Sequence, residues 1–272
     1  MRTFYLHNEF HLGDNVFNII ILSNVINNYL IEKNIKIYYF CQEYYINQLK
    51  EFNNCQNVLI RPINEKPNNS LQLWVNNKSI NFTMDRVYQE HIKRGVKRIN
   101  YDNYYCKFFN SFFKLYKLNL RLSKFYYKDE DLKIRYKNII NNYENKYRGI
   151  KILILNSEPL SGQFKYNKLE WDTYIQNLSK KYKVITTTKV ENITCTTEDN
   201  FTIKDIASLS TTVPIIIAIN SGVVPGLLNK YTLNNVKRFY VFDDRCYYSY
   251  PNFVNKENIN DIKLDELDRY IF

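Results

Sequence analysis

The sequence has little glycine, cysteine and histidine. Its 272 residues include 6 Gly, 5 Cys and 3 His. The cysteines are widely spaced and form no Cys-x-x-Cys pair, so neither a zinc knuckle nor a redox dithiol is indicated, and reduced thiols are expected. No apolar run reaches the roughly 18 residues of a membrane span. The first ten residues lack the basic-then-apolar order of a signal peptide, so a cytoplasmic location is expected.

Three glycine-containing motifs are also missing. The sequence has no Gly-x-x-x-x-Gly-Lys, which excludes a P-loop NTPase. It has no Gly-x-Gly-x-x-Gly, which argues against a standard dinucleotide-binding domain. It has no Gly-x-Ser-x-Gly, which argues against the nucleophile elbow of an α/β-hydrolase.

The chain is basic and rich in tyrosine, with a formal net charge of +11 and 25 Tyr. Part of the lysine excess follows from AT-rich codons, which are typical of an AT-rich bacterium or a giant virus. For a viral protein, the expected location is the host cytoplasm. A basic surface attracts nucleic acid, anionic membrane or phosphorylated small molecules. Residues 91–126 mix Tyr and Phe with Lys and Arg, which leaves base stacking, a peripheral membrane contact and intramolecular packing open. Without enrichment in Gly and Arg, nucleic acid is not the expected partner.

Strand-like and helix-like segments alternate in both halves of the chain. Residues 3–6, 35–41 and 58–61 read as strands, and the apolar stretch 16–30 between the first two has helical spacing. After a helix stop at Gly149, strands are expected at 150–155, 182–187, 213–219 and 239–242. The alternation predicts an α/β fold of two Rossmann-like domains, residues 1–149 and 150–272, that face a central cleft.

Gly13, Asp14 and Asn15 end the polar turn, 7–15, that follows the first predicted strand. A carboxylate at the start of a helix has a purely structural interpretation, because the helix dipole stabilises it by about 0.3–1 kcal/mol. It also suits a general base that removes a proton from an acceptor hydroxyl. His11 is close enough in sequence to share that role or to orient a substrate. The spacing of His7 and His11 would suit a metal on a helix, but the segment reads as a loop, so no metal is expected.

Two further segments suit the binding of a diphosphate. Lys165 and Lys168 lie in the stretch 161–168, after a strand and a Gly-containing loop, where cations are either solvated or bound to phosphate. Asn220, Ser221 and Gly222 follow the most apolar strand, and a turn of small residues there lets backbone N–H groups approach a phosphate. A helix from about residue 223 to residue 228 would add its N-terminal dipole. Ordinary turn chemistry remains the alternative for these residues.

These motifs together resemble the two-domain, GT-B type glycosyltransferases, in particular the heptosyltransferase-like ones. The strand, Gly13-Asp14 and the apolar helix resemble the opening of that fold, and 202–222 resembles the stretch that ends there in Asp-Thr/Ser-Gly and holds the donor diphosphate. In this chain Asn220 replaces the acid, and Pro225 stands where the family has a histidine. Lys165 or Lys168, ahead of Trp171, resembles the phosphate-contacting lysine.

The resemblance implies transfer of a sugar from a nucleoside-diphosphate sugar to a glycan or other hydroxyl acceptor, inverting and without a metal or bound cofactor. Asp14 would be the base, with His11 beside it, and Gly13 and Asn15 would form the turn on the acceptor side. Lys165, Lys168, Asn220, Ser221 and Gly222 would bind the donor. A nucleotide-sugar-binding protein or epimerase of the same fold, and a basic nucleic-acid-binding protein, remain the alternatives; the oligomeric state is not predicted.

Overall fold

The computed structural model describes residues 2–73, 99–123, 127–160, 164–242 and 248–249. The chain divides into two compact units, Met1–Lys128 and Asp129–Phe272. Each unit holds a parallel sheet with helices beside it, so the expected α/β class with two Rossmann-like halves is confirmed. The sequence suggests a boundary after Gly149. The division lies earlier because the helix Asp131–Tyr147 packs against the helix Ile203–Ser210 of the second unit.

The first unit contains a four-stranded parallel sheet in the order β3–β2–β1–β4. Its strands are β1 (Arg2–Asn8), β2 (Ile35–Cys41), β3 (Val58–Pro62) and β4 (Leu71–Gln72). Leu71 begins an alternating pattern that suggests a hairpin or an insertion. Instead it pairs with Leu6 in parallel register and extends the sheet beyond β1. The rest of that pattern, 74–82, lies outside the described residues.

The apolar stretch after β1 forms three helical pieces instead of one. They are α1 (Leu12–Ile20), a π-helical turn (Ile21–Val25) and α2 (Asn27–Glu32). In the π-helical turn, the Ser23 hydroxyl donates to the carbonyl oxygens of Ile19 and Phe52, at 2.7 and 3.0 Å. A side chain that enters the helical hydrogen-bond ladder in this way interrupts regular α-helix. The apolar side chains of α1 from Val16 onward are buried, which fixes this helix on the sheet.

The remaining elements of the first unit are short except for one helix. They are the 3-10 turns Glu43–Tyr45 and Ile63–Glu65, α3 (Ile46–Glu51), β5 (Ile99–Asn100) and the helix Tyr101–Leu115. The composition of 104–120 predicts a helix there, and the observed helix begins and ends a few residues earlier. Its Phe109, Phe112 and Phe113 are fully buried, so this face of the aromatic-rich segment packs inside the unit. Within the described ranges, no helix is long and apolar enough to cross a membrane.

The second unit contains a five-stranded parallel sheet in the order β10–β9–β6–β7–β8. The strands are β6 (Ile152–Leu155), β7 (Val184–Thr186), β8 (Thr194–Cys195), β9 (Ile215–Ile219) and β10 (Arg238–Phe242), and β11 (Tyr248–Ser249) follows them. The helices are Asp131–Tyr147, Lys168–Ser179, Ile203–Ser210, Val224–Leu227 and Lys230–Asn235, with a 3-10 turn at Thr197–Asp199. Strand β8 and the helix Lys230–Asn235 are not evident from the sequence.

A buried ion pair joins the helix Asp131–Tyr147 to the helix Ile203–Ser210. The Lys204 ammonium lies 3.0 Å from a carboxylate oxygen of Asp129 and 2.9 Å from one of Asp131. Lys204 and Asp129 are only 3 % and 4 % exposed. The acidic run 129–131 reads in the sequence as a solvated face. That interpretation is wrong for Asp129, because the partner lysine lies far away in the sequence.

Candidate active site

Both sheets reverse their strand order at one point, and the candidate residues lie at those points. In the second unit, β6 lies between β9 and β7, and the order reverses between β6 and β9. In the first unit, the reversal lies between β1 and β4. In open parallel sheets, ligands bind outside the carboxyl ends of the strands at such a reversal. The loops to consider are therefore those after β6 and β9 in one unit and after β1 in the other.

In the second unit, the loop after β6 is held rigid by a buried asparagine. The Asn156 side-chain oxygen accepts from the backbone N–H groups of Thr187 and Thr188, at 3.2 and 2.9 Å. Its amide nitrogen donates to the Thr188 carbonyl at 3.3 Å. The Ser157 hydroxyl lies 3.2 Å from that of Thr187. Asn156, which is 1 % exposed, therefore locks the loop after β6 to the loop after β7.

The loop after β9 carries Asn220, Ser221 and Gly222 beside this rigid loop. Leu155 of β6 pairs with Ala218 of β9, so the two strands end at the same edge. The Ser221 hydroxyl oxygen is buried and has no hydrogen-bond partner among the described residues. A buried hydroxyl without a partner is unfavourable by about 1–3 kcal/mol, which a bound ligand can relieve. This is the strongest indication of a ligand in the second unit.

The helix expected after this loop is shorter than the sequence suggests. It is a single turn, Val224–Leu227, with Pro225 in its first turn. Since the macrodipole grows from aligned peptide units, one turn contributes little to anion binding. Any phosphate here would depend on the loop and on side chains.

Lys165 belongs to a segment that packs beside the loop after β9. The ring of Phe164 lies 5.7 Å from that of Phe242, and the ring of Tyr166 lies 6.3 Å from that of Trp171. The Phe242 carbonyl accepts from the Asn220 backbone N–H at 3.0 Å. Lys165, between two packed aromatic residues, is exposed at this edge. The helical spacing of Trp171 with Tyr174 and Leu178 predicts a core position, and Trp171 is 2 % exposed, which confirms it.

Lys168 is placed differently from Lys165. It is the first residue of the helix Lys168–Ser179, and its ammonium pairs with the Asp172 carboxylate one turn later. Asn167 caps this helix by accepting from the backbone N–H of Glu170. An ion pair with a neighbouring carboxylate competes with phosphate for the Lys168 ammonium. Gly162, in the loop before them, lies outside the described residues.

In the first unit, α1 begins one residue before Gly13. His11 is its N-cap residue, exposed and without a side-chain capping hydrogen bond, and Leu12 opens the helix. Gly13 and the half-buried Asp14 therefore lie in the first helical turn, and Gly13 does not adopt a positive φ. The carboxylate is held at the positive end of a helix longer than two turns. The predicted backbone turn at Gly13 and Asn15 is not observed, since both residues lie in the helix α1.

A buried hydrogen-bond network supports the turn that carries Asp14. The Tyr39 hydroxyl donates to the Asn15 side-chain oxygen at 2.8 Å and accepts from the Asn18 amide at 2.9 Å. The Asn15 amide donates to the His11 carbonyl at 2.9 Å. Burial raises the pKa of the Tyr39 hydroxyl well above its ordinary value, and the charge of nearby Asp14 raises it further. Tyr39 therefore stays protonated and acts as a fixed donor beneath α1.

His7 lies at the end of β1 and has a structural role. It is 6 % exposed, and its Nδ1 lies 2.9 Å from the Ser70 hydroxyl. Burial lowers its pKa to about 4, and the charge of Lys66 acts in the same direction. His7 is on a strand and His11 at a helix cap, so the helical spacing that would suit a metal is not realised. Among the described residues, no group of three or more His, Cys, Asp or Glu is arranged to hold a metal ion.

The structure thus brings together some of the expected residues and adds others. Lys165, Asn220, Ser221 and Gly222 share one edge of the second sheet, while Lys168 is engaged with Asp172. His11, Gly13, Asp14 and Asn15 share the start of α1. Asn156 and Tyr39 were missed. An asparagine directly after a strong strand could have indicated Asn156, but nothing local indicates Tyr39, whose partners lie 21 and 24 residues away.

No protein-family model matches the chain, and no curated protein matches it. Solved structures do. E. coli ADP-heptose LPS heptosyltransferase II superposes with a TM-score of 0.55 at 9 % identity, over 100 % of this chain and 98 % of that chain. The chain has the fold of the GT-B type heptosyltransferases. E. coli heptosyltransferase WaaC with ADP gives a TM-score of 0.49 at 7 % identity, over 100 % and 97 % of the two chains. The glycosyl transferase family 9 protein of Veillonella parvula gives 0.46 at 10 % identity, over 98 % and 95 %.

Proposed function

We propose that the protein is a glycosyltransferase that moves a sugar from a nucleoside-diphosphate sugar to a hydroxyl acceptor. The observation that carries the proposal is the buried Ser221 hydroxyl at the strand-order reversal of the second sheet, which has no hydrogen-bond partner within the described part of the chain. A diphosphate oxygen would complete its hydrogen bonding. The similar fold belongs to a protein named as an ADP-heptose heptosyltransferase, so an ADP-sugar is the first donor to test.

The second unit would bind the donor and the first unit the acceptor. The Asp14 carboxylate takes the proton of the acceptor hydroxyl, whose oxygen then bonds to the anomeric carbon of the sugar. The bond from that carbon to the diphosphate breaks, and the nucleoside diphosphate leaves with the electron pair. Attack from the face opposite the leaving group inverts the anomeric configuration.

The charge that develops on the leaving diphosphate needs stabilisation in the transition state. Lys165 supplies a cation, and Ser221 and the backbone N–H groups around Gly222 supply donors. Asn156 acts indirectly, because it fixes the neighbouring loop through Thr187 and Thr188. In this scheme, protein groups supply the positive charge and the hydrogen-bond donors that bind the diphosphate, and no metal is assigned a role.

The proposal is tested by ligand-induced stabilisation followed by turnover. The protein is heated with ADP-, GDP-, UDP- and dTDP-sugars, and a ligand at a hundredfold excess over its Kd should stabilise it by about 2.7 kcal/mol. The stabilising donor is then incubated with hydroxyl acceptors, and release of nucleoside diphosphate is measured. Stabilisation without transfer to any acceptor would favour a nucleotide-sugar-binding protein or an epimerase, and no stabilisation by any donor would contradict the proposal.

The role of Asp14 is tested with Asp14→Asn and the control Glu32→Gln, an exposed acid at the end of α2. Asp14→Asn should lower kcat by about 10²–10⁴-fold, the usual contribution of a general base, with unchanged donor-induced stabilisation. Glu32→Gln should behave like the unchanged protein. Full activity of Asp14→Asn would refute the base assignment but not the donor site.

A further inference from the structure

A polar pocket of about 350 Å³ lies within the second unit, between the helix Asp131–Tyr147 and the segment 199–205 that follows β8. Pockets that bind small molecules have volumes of about 300–1,000 Å³. We propose that this pocket binds one sugar unit of an uncharged carbohydrate, as a second site apart from the candidate active site. The inference goes beyond the proposed function and does not depend on it.

The sheet topology separates this pocket from the candidate donor site. Strand β8 is the edge strand of the second sheet, and β7 lies between it and β6. None of the described residues that line the pocket belongs to the loops after β6 and β9, which carry the candidate donor-binding residues. A ligand in the pocket would therefore bind away from the groups that are proposed to react.

Two aromatic rings form one corner of the pocket. The half-buried rings of Tyr143 and Phe201 meet edge to face, with their centroids 5.4 Å apart and their planes at 75°. The C–H face of a sugar ring packs on an aromatic face, while its hydroxyls point to polar groups around it. A nucleobase held between two rings needs parallel faces, which this corner does not provide.

Three asparagine side chains supply hydrogen-bonding groups to the pocket. Asn138, Asn142 and Asn200 line it and are exposed, and their side chains make no hydrogen bond with another described residue. Asn138 and Asn142 are four residues apart on one helix, so their amides lie on the same face. Each amide has two N–H donors and one carbonyl acceptor. Neighbouring hydroxyls of a sugar, which both donate and accept, match such a set of amides.

The charged groups of the pocket are already paired, which favours an uncharged ligand. Each of the three carboxylates among the described lining residues has a cation within hydrogen-bond distance; the pairs are Arg135–Asp205 at 2.9 Å, Lys204–Asp131 at 2.9 Å and Lys146–Asp199 at 2.5 Å. A phosphate would compete with Asp205 for Arg135, and an ammonium group would compete with the cations already in place. Hydroxyls can donate to the remaining lone pairs of the carboxylates without breaking these pairs.

The backbone conformation of Asn200 allows a substitution that removes only its amide. Asn200 has a positive φ of 55°. Glycine adopts this conformation without steric penalty, so Asn200→Gly should keep the backbone and delete the side chain. Asn192 is the matched control, because it is exposed, has a φ of 60° and does not line the pocket.

The test measures the binding of small sugars to the full chain in the absence of a nucleotide-sugar. Saturation-transfer NMR screens the methyl glycosides of glucose, galactose, mannose, N-acetylglucosamine and fucose, with adenosine and glucose phosphate as probes of the competing chemistries. At least one neutral glycoside should bind, and titration gives its Kd. Asn200→Gly should raise this Kd about fivefold, the effect of losing one hydrogen bond, and Asn192→Gly should leave it unchanged.

A second pair of variants tests the helix wall of the pocket. Asn138→Ala should also raise the Kd about fivefold. Asn141→Ala is its control, because Asn141 is exposed on the same helix and does not line the pocket. Thermal unfolding of all four variants shows whether a change in binding reflects a change in fold.

Several outcomes would overturn the second site. They are binding of none of the neutral glycosides, preference for adenosine or glucose phosphate, and equal Kd values for Asn200→Gly and Asn192→Gly. Loss of glycoside binding in Asp14→Asn or Ser221→Ala, with normal binding by Asn200→Gly, would place the sugar at the candidate active site instead. Stabilisation by a nucleotide-sugar is measured independently, so failure of the second site is distinguishable from failure of the proposed function.

Discussion

The hydroxyl of Tyr39 donates a 2.8 Å hydrogen bond to the side chain of Asn15, the residue that follows Asp14 in the first turn of α1. Both residues are fully buried. A strand in the sheet core thus fixes the rotation of the helix that presents the candidate base. The bond is structural, but its consequence is functional, because a general base must lie within hydrogen-bond reach of the proton it removes.

Tyr39→Phe should therefore lower both stability and turnover. It leaves the Asn15 oxygen and the Asn18 amide without their shared partner, and an unsatisfied buried group is unfavourable by about 1–3 kcal/mol. Denaturant unfolding measures the loss, and steady-state kinetics should show a lower kcat at an unchanged donor KM. Tyr38→Phe, at the half-buried neighbouring position, is the control and should change stability by less than about 0.5 kcal/mol. Equal behaviour of the two variants would contradict the network.

Ser221→Ala should have opposite effects on stability and on donor binding. The Ser221 hydroxyl is buried and has no hydrogen-bond partner among the described residues, so its removal should leave the free energy of unfolding unchanged or raise it by about 1 kcal/mol. The same change removes a donor to the diphosphate, and a hydrogen bond to a charged group contributes about 1.5–3 kcal/mol, so Kd should rise at least about tenfold. Calorimetric titration with the stabilising nucleotide-sugar measures that rise.

Ser210→Ala is the matched control for Ser221→Ala. The Ser210 hydroxyl is satisfied, 2.6 Å from the Thr232 hydroxyl and 2.7 Å from the Ala207 carbonyl. Its loss should destabilise the chain by about 1–3 kcal/mol and leave donor affinity unchanged. If Ser221→Ala destabilises as much as Ser210→Ala and binds the donor normally, Ser221 is an ordinary structural residue.

The sequence predicts the sheets better than it predicts the ion pairs. Strands such as β6 and β9 are evident because a run of apolar residues is a local signal. The partner of Lys204 is not evident, since Asp129 becomes its neighbour only when two helices pack. The acidic run therefore reads as solvated although Asp129 is buried. The candidate site divides in the same way: Asp14 and Ser221 follow strands, while Tyr39 and Asn156 act through hydrogen bonds to residues distant in the sequence.

Lys204→Met should be strongly destabilising. It leaves the buried Asp129 carboxylate without its cation, and removal of one partner of a buried pair costs about 3–5 kcal/mol. Denaturant unfolding measures the loss. Lys189→Met is the control, because Lys189 is 77 % exposed in its pair with Glu198 and such a pair contributes at most about 1 kcal/mol. Similar losses in both variants would show that the Lys204 pair is as solvated as its control.

The stability of the protein should fall as the pH is lowered from about 6.5 to about 4, in part because of His7. Burial lowers the pKa of His7 from 6.5 to about 4, so the unfolded chain binds a proton in this window that the folded chain does not. Stability then rises with pH across the window, by about 3 kcal/mol, and this group adds no pH dependence above it. Unfolding free energies of the unchanged protein and of His7→Gln, measured from pH 4 to pH 8, should diverge as the pH falls. Parallel curves would contradict a neutral, buried His7.

Gly149 is the described glycine with a positive φ, at +71°, whereas Gly13 at the start of α1 is helical. The chain uses asparagine for the same conformation at Asn34, Asn192 and Asn200, which suits an Asn-rich, Gly-poor sequence. A Cβ on Gly149 would meet no atom within 4 Å, so Gly149→Ala should be unfavourable only through its backbone, by about 1–2 kcal/mol. Gly149→Asn should be less destabilising, because Asn tolerates the left-handed region better than Ala. Thermal unfolding of the two variants compares them, and an Asn variant less stable than the Ala variant would show that side-chain contacts, not φ, determine this position.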